Sequence, residues 1–122
     1  GILNMGGVVH GEYIEKTFKI SNKKNFPLNF RLISQAEGIQ NRKGKKVFSY
    51  IPAEGVVEAN KEKEIRVVFS PDRISEKFFE MVLIDVPNQI DPKSIFIVGH
   101  CFPRQAYFKL YKPLLFPNKG EL

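Results

Sequence analysis

Ile65-Arg66-Val67-Val68-Phe69-Ser70-Pro71-Asp72 decides how this chain folds. Ile65, Val67 and Phe69 alternate with Arg66 and Val68, a period of two that sends successive side chains to opposite faces of an extended strand. Pro71 stops the strand, because proline has no N–H to give to a ladder. Two more apolar segments follow at even spacing, Phe78 to Val86 and Ile95 to Cys101. Short strands at such intervals, with turn residues between them, spell out a β-sandwich. A sandwich of this kind usually serves as a binding module, so any catalytic role has to be carried by specific residues.

Towards the N-terminus the same grammar repeats. Asn60 to Glu64 is a charged turn, and Val47 to Ile51 is a short strand ended by Pro52, with Ala53-Glu54-Gly55 turning into Val56 to Ala59. Tyr13 to Ile20 places Ile14, Phe18 and Ile20 on an inner face, with Lys16 as the exception in that phase. Ser21 to Asn25 forms a polar turn in which Asn22 can close on the backbone with its own side chain, and Pro27 fixes entry into a strand with Leu28, Phe30 and Leu32 inward. From Ser34 to Lys46 the apolar period vanishes, which predicts a loop. Gly6, Gly7 and Gly11 around Val8-Val9 allow a first strand to bend. Lys77 to Val86 is apolar on both faces, as a central strand covered on both sides at least in part would be.

Towards the C-terminus, Pro87 to Pro92 is a turn, Ser94 to Cys101 alternates, and Arg104 to Tyr111 reads as a last strand with Ala106, Phe108 and Leu110 on one face. The expectation is an all-β, immunoglobulin-like antiparallel sandwich of seven to nine strands, all antiparallel or nearly so. Its core would use Phe18, Ile20, Leu28, Phe30, Leu32, Ile65, Val67, Phe69, Val82, Ile84, Ile95 and Ile97.

With 122 residues, 43% hydrophobic and 26% charged, the chain has the size and composition of one globular domain. That domain is expected over residues 1–112, with 113–122 a tail or the start of a following repeat. Leu114 to Glu121 faintly echoes Ile2 to Glu12, and the chain opens mid-pattern on Gly1-Ile2-Leu3, as a piece of a longer protein would. No run approaches the roughly 18 apolar residues of a membrane span. Cys101 is the one cysteine and there is no Trp, so the disulfide and core Trp of antibody domains are excluded and a reducing compartment is favoured.

Taken together, Leu3-Asn4-Met5-Gly6-Gly7-Val8-Val9-His10-Gly11-Glu12, Lys16 to Asn22, Phe26-Pro27-Leu28-Asn29-Phe30, Ile65 to Pro71 and Ile97-Val98-Gly99-His100-Cys101 resemble the ASH domain of the major sperm protein and PapD-like superfamily. Within it the chain looks most like a repeat of Hydin-type ciliary axonemal proteins. The resemblance implies a non-enzymatic interaction or structural module of a larger ciliary or microtubule-associated protein, needed for axoneme assembly or motility. It implies a cytoplasmic location at the axoneme of a cilium or flagellum or at the cytoskeleton, tubulin or other axonemal proteins as partners, and no cofactor, small-molecule substrate or membrane insertion. Major sperm protein relatives also include adaptors that grip short acidic peptides on a basic sheet face, to which Lys19, Asn29 and Arg31 would contribute. PapD-like folds pair added strands along an open edge, for which Tyr107 to Phe116 is the candidate, limited by Pro113 and Pro117.

Catalytic and metal motifs are absent from the sequence. His10, His100 and Cys101 are the only histidines and thiol; neighbours on a strand face opposite ways, so His100 and Cys101 do not make a nucleophile–base pair. There is no Cys-x-x-Cys, no spaced histidine pair, no acidic calcium loop and no glycine-rich phosphate loop opening a helix.

Charge is concentrated. Residues 16 to 46 carry nine Lys and Arg against the single acid Glu37, a local +8 in a chain of net +6. Lys19, Lys23, Lys24, Arg31, Arg42, Lys43, Lys45 and Lys46 are therefore the candidate partner-binding residues. Arg42 to Lys46 reads either as a solvated mobile loop or as an electrostatic contact for an acidic partner. Nucleic acid is the least favoured partner, since no aromatic is interleaved with this loop and no reading helix is predicted.

Overall fold

A strand that alternates apolar and polar residues can bury its apolar face only against another layer, and among the described residues eight strands do so in two sheets. The computed structural model describes residues 1–42, 44–87 and 92–104. The strands are β1 (Ile2–Val9), β2 (Ile14–Ser21), β3 (Leu28–Glu37), β4 (Phe48–Ile51), β5 (Glu54–Val57), β6 (Glu62–Phe69), β7 (Ser75–Asp85) and β8 (Lys93–Phe102). One sheet has the order β1-β8-β7-β3-β5 and the other β2-β6-β4. The chain crosses from the smaller sheet to the larger in the two residues Pro52-Ala53, where the Ala53 carbonyl accepts from Leu32 N at 2.9 Å. The predicted last strand from Arg104 to Tyr111 and the tail at 113–122 fall, apart from Arg104, outside the described residues.

The deciding segment behaves as its alternation requires. Ile65, Val67 and Phe69 are each 0% exposed, and Phe69 joins the layers by stacking on Phe48 at 5.0 Å and meeting Phe78 of the opposite sheet edge-on at 5.5 Å. Of the expected core, Phe30, Ile65, Val67, Phe69, Val82 and Ile97 are buried; Phe18, Ile20, Leu28, Leu32, Ile84 and Ile95 lie half-buried at its margin. The centre also takes Met5, Val8, Val47, Phe48, Val57, Phe78 and Cys101, which the alternation of single segments does not single out.

As expected, the pairing is antiparallel or nearly so: only β1, among the described strands, runs parallel to its neighbour, β8, an orientation that depends on how distant segments meet and that a single strand's pattern does not carry. A bulge between Asn4 and Gly7 interrupts this pairing, and Gly6 sits in it at φ +82°, its N–H bonded to Asn4 Oδ1, a conformation that favours glycine. The loop predicted from Ser34 begins later, since β3 continues to Glu37 along β7. Ser34 to Glu37 lie outside the core with exposed side chains, and backbone pairing needs no apolar alternation. As expected, β7 is central in its sheet, and its outer face is covered only in part. Phe79 is half-buried against Phe96 at 5.4 Å and Met81 is exposed.

Candidate functional site

The candidate basic residues follow β3 to its two ends. This strand's ten residues span about 33 Å, with the 22–27 turn before it and the 38–47 loop after it, so the structure does not bring the basic set into one patch. Arg31 lies between them on the outer face, its guanidinium 3.5 Å from Asp85, and is partly neutralised there. Lys43 lies outside the described residues.

At the far end of β3, the loop carrying Arg42, Lys45 and Lys46 is tied to the sandwich by a buried asparagine. Asn41 is 8% exposed. Its Nδ2 donates to the Ser70 carbonyl at 3.0 Å and to that of Lys46 at 3.4 Å, and its Oδ1 accepts from Asp72 N at 2.8 Å. Arg42 N donates to Asp72 Oδ1 at 2.8 Å, and the Arg73 guanidinium reaches the Gln40 carbonyl at 3.1 Å. The side chains of Arg42, Lys45 and Lys46 are exposed above this bonded base. Beneath them, Glu37, Glu80, Lys45 and Lys46 help to line a cavity of about 150 Å3.

At the near end, Asn22 organises the turn. It is 2% exposed, and its Nδ2 lies within bonding distance of the carbonyls of Phe26, Val57 and Glu58 at 2.8, 3.0 and 3.2 Å. Its Oδ1 accepts from Lys24 N at 2.9 Å. This fixes Lys23 and Lys24 beside the end of β2, where Lys19 stands 3.7 Å from Glu62 with both groups more than half exposed. The same end receives Lys93, which opens β8 and pairs with Ile84 of β7. Lys93 was not among the sequence candidates, although a signal exists. It is in phase with Ile95 and Ile97 and so stands on the core face of its strand. Lys16 and Lys63 are in inward phases as well; Lys16 is exposed and donates to the Asn4 carbonyl at 2.8 Å.

The residues examined for catalysis take structural places. Cys101 is 2% exposed, and burial pushes its thiol up, away from the reactive thiolate. The His100 ring meets Phe102 edge-on at 4.8 Å, and His10 Nε2 lies 3.3 Å from the Asp72 carbonyl. Among the described residues, no group of three or more His, Cys, Asp or Glu could hold a metal ion, and no helix is long and apolar enough to cross a membrane.

Residues 1–100 match a family described as HYDIN/CFA65/VesB-like, Ig-like domain. Among curated proteins, the chain is similar to cilia- and flagella-associated protein 74 of Chlamydomonas reinhardtii, 33% identical over 87% of the chain, and of Homo sapiens, 28% identical over 95% of it. It spans 6% and 9% of those proteins' lengths. Among solved structures, it is similar to PapD-like domain 7 of human CEP192, an ASH / PapD-like domain, with a TM-score of 0.69 and 15% identity over 84% of this chain and 81% of that one. The C. elegans protein WR4, a major sperm protein family member, matches with a TM-score of 0.52 and 13% identity over 77% of this chain and 91% of that one. At such identities the structural likenesses show an immunoglobulin-like fold of the PapD and major sperm protein kind.

Proposed function

The chain belongs to the HYDIN/CFA65/VesB-like, Ig-like domain family, and from that premise we propose that it is a non-enzymatic protein-interaction module of a ciliary or flagellar protein, docking its parent on an acidic axonemal partner such as tubulin. The observation that carries this reading is the fixing of the 38–46 loop by Asn41. Exposed Arg42, Lys45 and Lys46 are held on a base bonded to Ser70 and Asp72, so less conformational entropy is lost when they meet a complementary surface. The likeness to cilia- and flagella-associated protein 74 supports the cilium as the setting and axoneme assembly or motility as the larger role. The 1–112 unit would then be one domain of such a parent, with 113–122 leading out of it.

The test is cosedimentation of the 122-residue chain with microtubules, compared with a variant in which Arg42, Lys43, Lys45 and Lys46 are all alanine. Loss of binding in the variant, and weakening of the parent chain's binding as salt rises, is the expected result. Unchanged cosedimentation overturns the tubulin contact.

A further inference from the structure

At the end of the sandwich opposite the Arg42 loop, the two sheets part over a groove of about 660 Å3. Its floor is apolar: Phe30 and Val57 are buried at 3% and 2% exposure, and Leu28, Ile84 and Val86 are half-buried around them. Its rim carries Lys19, Lys23, Lys24 and Lys93, all exposed, and no described lining residue is acidic. Lys19 and Lys93 come from opposite sheets, so a ligand in the groove meets positive charge on both sides. Glu62 is close to Lys19 at 3.7 Å, but its other oxygen is shared with Ser21 and it does not line the groove. Asn22, the polar residue deepest in the wall, has its amide committed to backbone carbonyls and its oxygen to Lys24 N. Selection here therefore rests on apolar fit and negative charge.

We infer that this groove is a second docking site, which takes a short segment of a partner protein in which one or two large apolar side chains are flanked by carboxylates. The apolar side chains seat on Leu28, Ile84 and Val86, and the carboxylates meet Lys23, Lys24 and Lys93. The volume lies within the roughly 300–1,000 Å3 of ligand-sized clefts. Complementary charge on both banks supplies orientation and a fast encounter. The chain's own residues 105–122 fit poorly, since Lys109, Lys112 and Lys119 outnumber Glu121. Nucleic acid also fits poorly, because base stacking needs an accessible ring face and Phe30 is buried. The site differs from the sheet-face reading of Lys19, Asn29 and Arg31, in which Arg31 is occupied by Asp85.

The test uses the 122-residue chain and a fluorescein-labelled synthetic peptide alternating Glu or Asp with Phe and Leu, followed by fluorescence anisotropy and by methyl NMR. Saturable binding is expected, with the resonances of Leu28, Ile84 and Val86 shifting. Lys23→Glu, Lys24→Glu and Lys93→Glu together should weaken it by about tenfold or more. Replacing Arg42, Lys45 and Lys46 with Ala should leave it unchanged, which separates this site from the tubulin contact. Absence of saturable binding, equal binding of a peptide whose Phe and Leu are replaced by Ser, shifts confined to the 38–46 loop, or preference for phosphatidylserine vesicles each overturns the inference. Because the three lysines are exposed, their substitution leaves the core intact, and an unchanged methyl spectrum of the free variant confirms that it is folded.

Discussion

The hydroxyl of Tyr50 donates a hydrogen bond to a carboxylate oxygen of Glu80, and this bond joins the smaller sheet to the larger. Glu80 is 5% exposed on the inner face of β7, where a charge needs a partner. Burial, then the bond to Glu80 and the negative charges of Glu80 and Glu37, push the Tyr50 phenol far above its ordinary value. Tyr50→Phe keeps the ring and removes the donor. The expected loss is about 1–3 kcal/mol of unfolding free energy, measured by urea denaturation.

The same pair sets an alkaline dependence. With its folded-state pKa raised, Tyr50 contributes fully below the pKa of an unfolded tyrosine, about 10. Above that pH the unfolded chain loses this proton while the folded chain keeps it, so stability falls as pH rises. Thermal melts of the wild type should decline more steeply above pH ~10 than those of Tyr50→Phe; identical slopes would remove the linkage.

Asn22→Asp should be worse than Asn22→Ala. Alanine leaves the carbonyls of Phe26, Val57 and Glu58 without the amide that reaches them, at a cost of about 1–3 kcal/mol. Aspartate keeps the acceptor for Lys24 N but aims an acceptor-only group at those carbonyls. Urea midpoints in the order wild type, Ala, Asp are the expected outcome.

Gly99→Ala should destabilise by about 1–3 kcal/mol through overpacking. A Cβ at Gly99 would stand 2.7 Å from the Phe69 ring, which is 0% exposed and cannot swing outwards. Adding Phe69→Leu removes the opposing ring edge, so the double variant should lose less than the sum of the two single losses. Strict additivity would show that the two residues do not press on each other.

Cys101 reports on the same packing. Its thiol is buried and held protonated, so the native protein should react with a thiol reagent only through opening of the sandwich. The measured rate should rise in Gly99→Ala and become immediate in urea. Rapid modification of the native wild type would contradict the burial.

How much of this was legible follows from what each signal encodes. Ile65, Val67 and Phe69 gave their facing directly, because period-two alternation is a local statement about one strand. The ASH-type motifs carried the family, and Gly99 within one of them proves to be the place where Phe69 needs room. What stayed hidden was relational. The parallel pairing of β1 with β8 joins the two ends of the described chain, and the groove gathers Lys19 with Lys93 across more than seventy residues of sequence. The division of the basic run from Lys16 to Lys46 was legible, by contrast, because the turn at 21–25 and the loop that follows must leave opposite ends of the intervening strand, as they do from β3. Burial of Asn22 and Asn41 was also concealed, since asparagine in a polar stretch has the composition of an exposed turn whether or not backbone carbonyls from another strand close over it.

Asn41 gives the loop its most direct test, because it can be altered without touching charge. Asn41→Ala removes the bonds to Ser70 and Lys46 carbonyls and to Asp72 N, at a cost of about 1–3 kcal/mol, and frees the segment that bears Arg42, Lys45 and Lys46. The net charge of +6 is unchanged. If presentation on a fixed base matters, microtubule cosedimentation should weaken several-fold, because the loop must now be ordered on binding. If charge alone is responsible, binding at a given salt concentration will match the wild type. Asn41→Asp separates the two effects further: it retains an acceptor for Asp72 N, loses both donated bonds and lowers the local charge by one, so it should bind more weakly than Asn41→Ala at low salt and converge with it as screening increases.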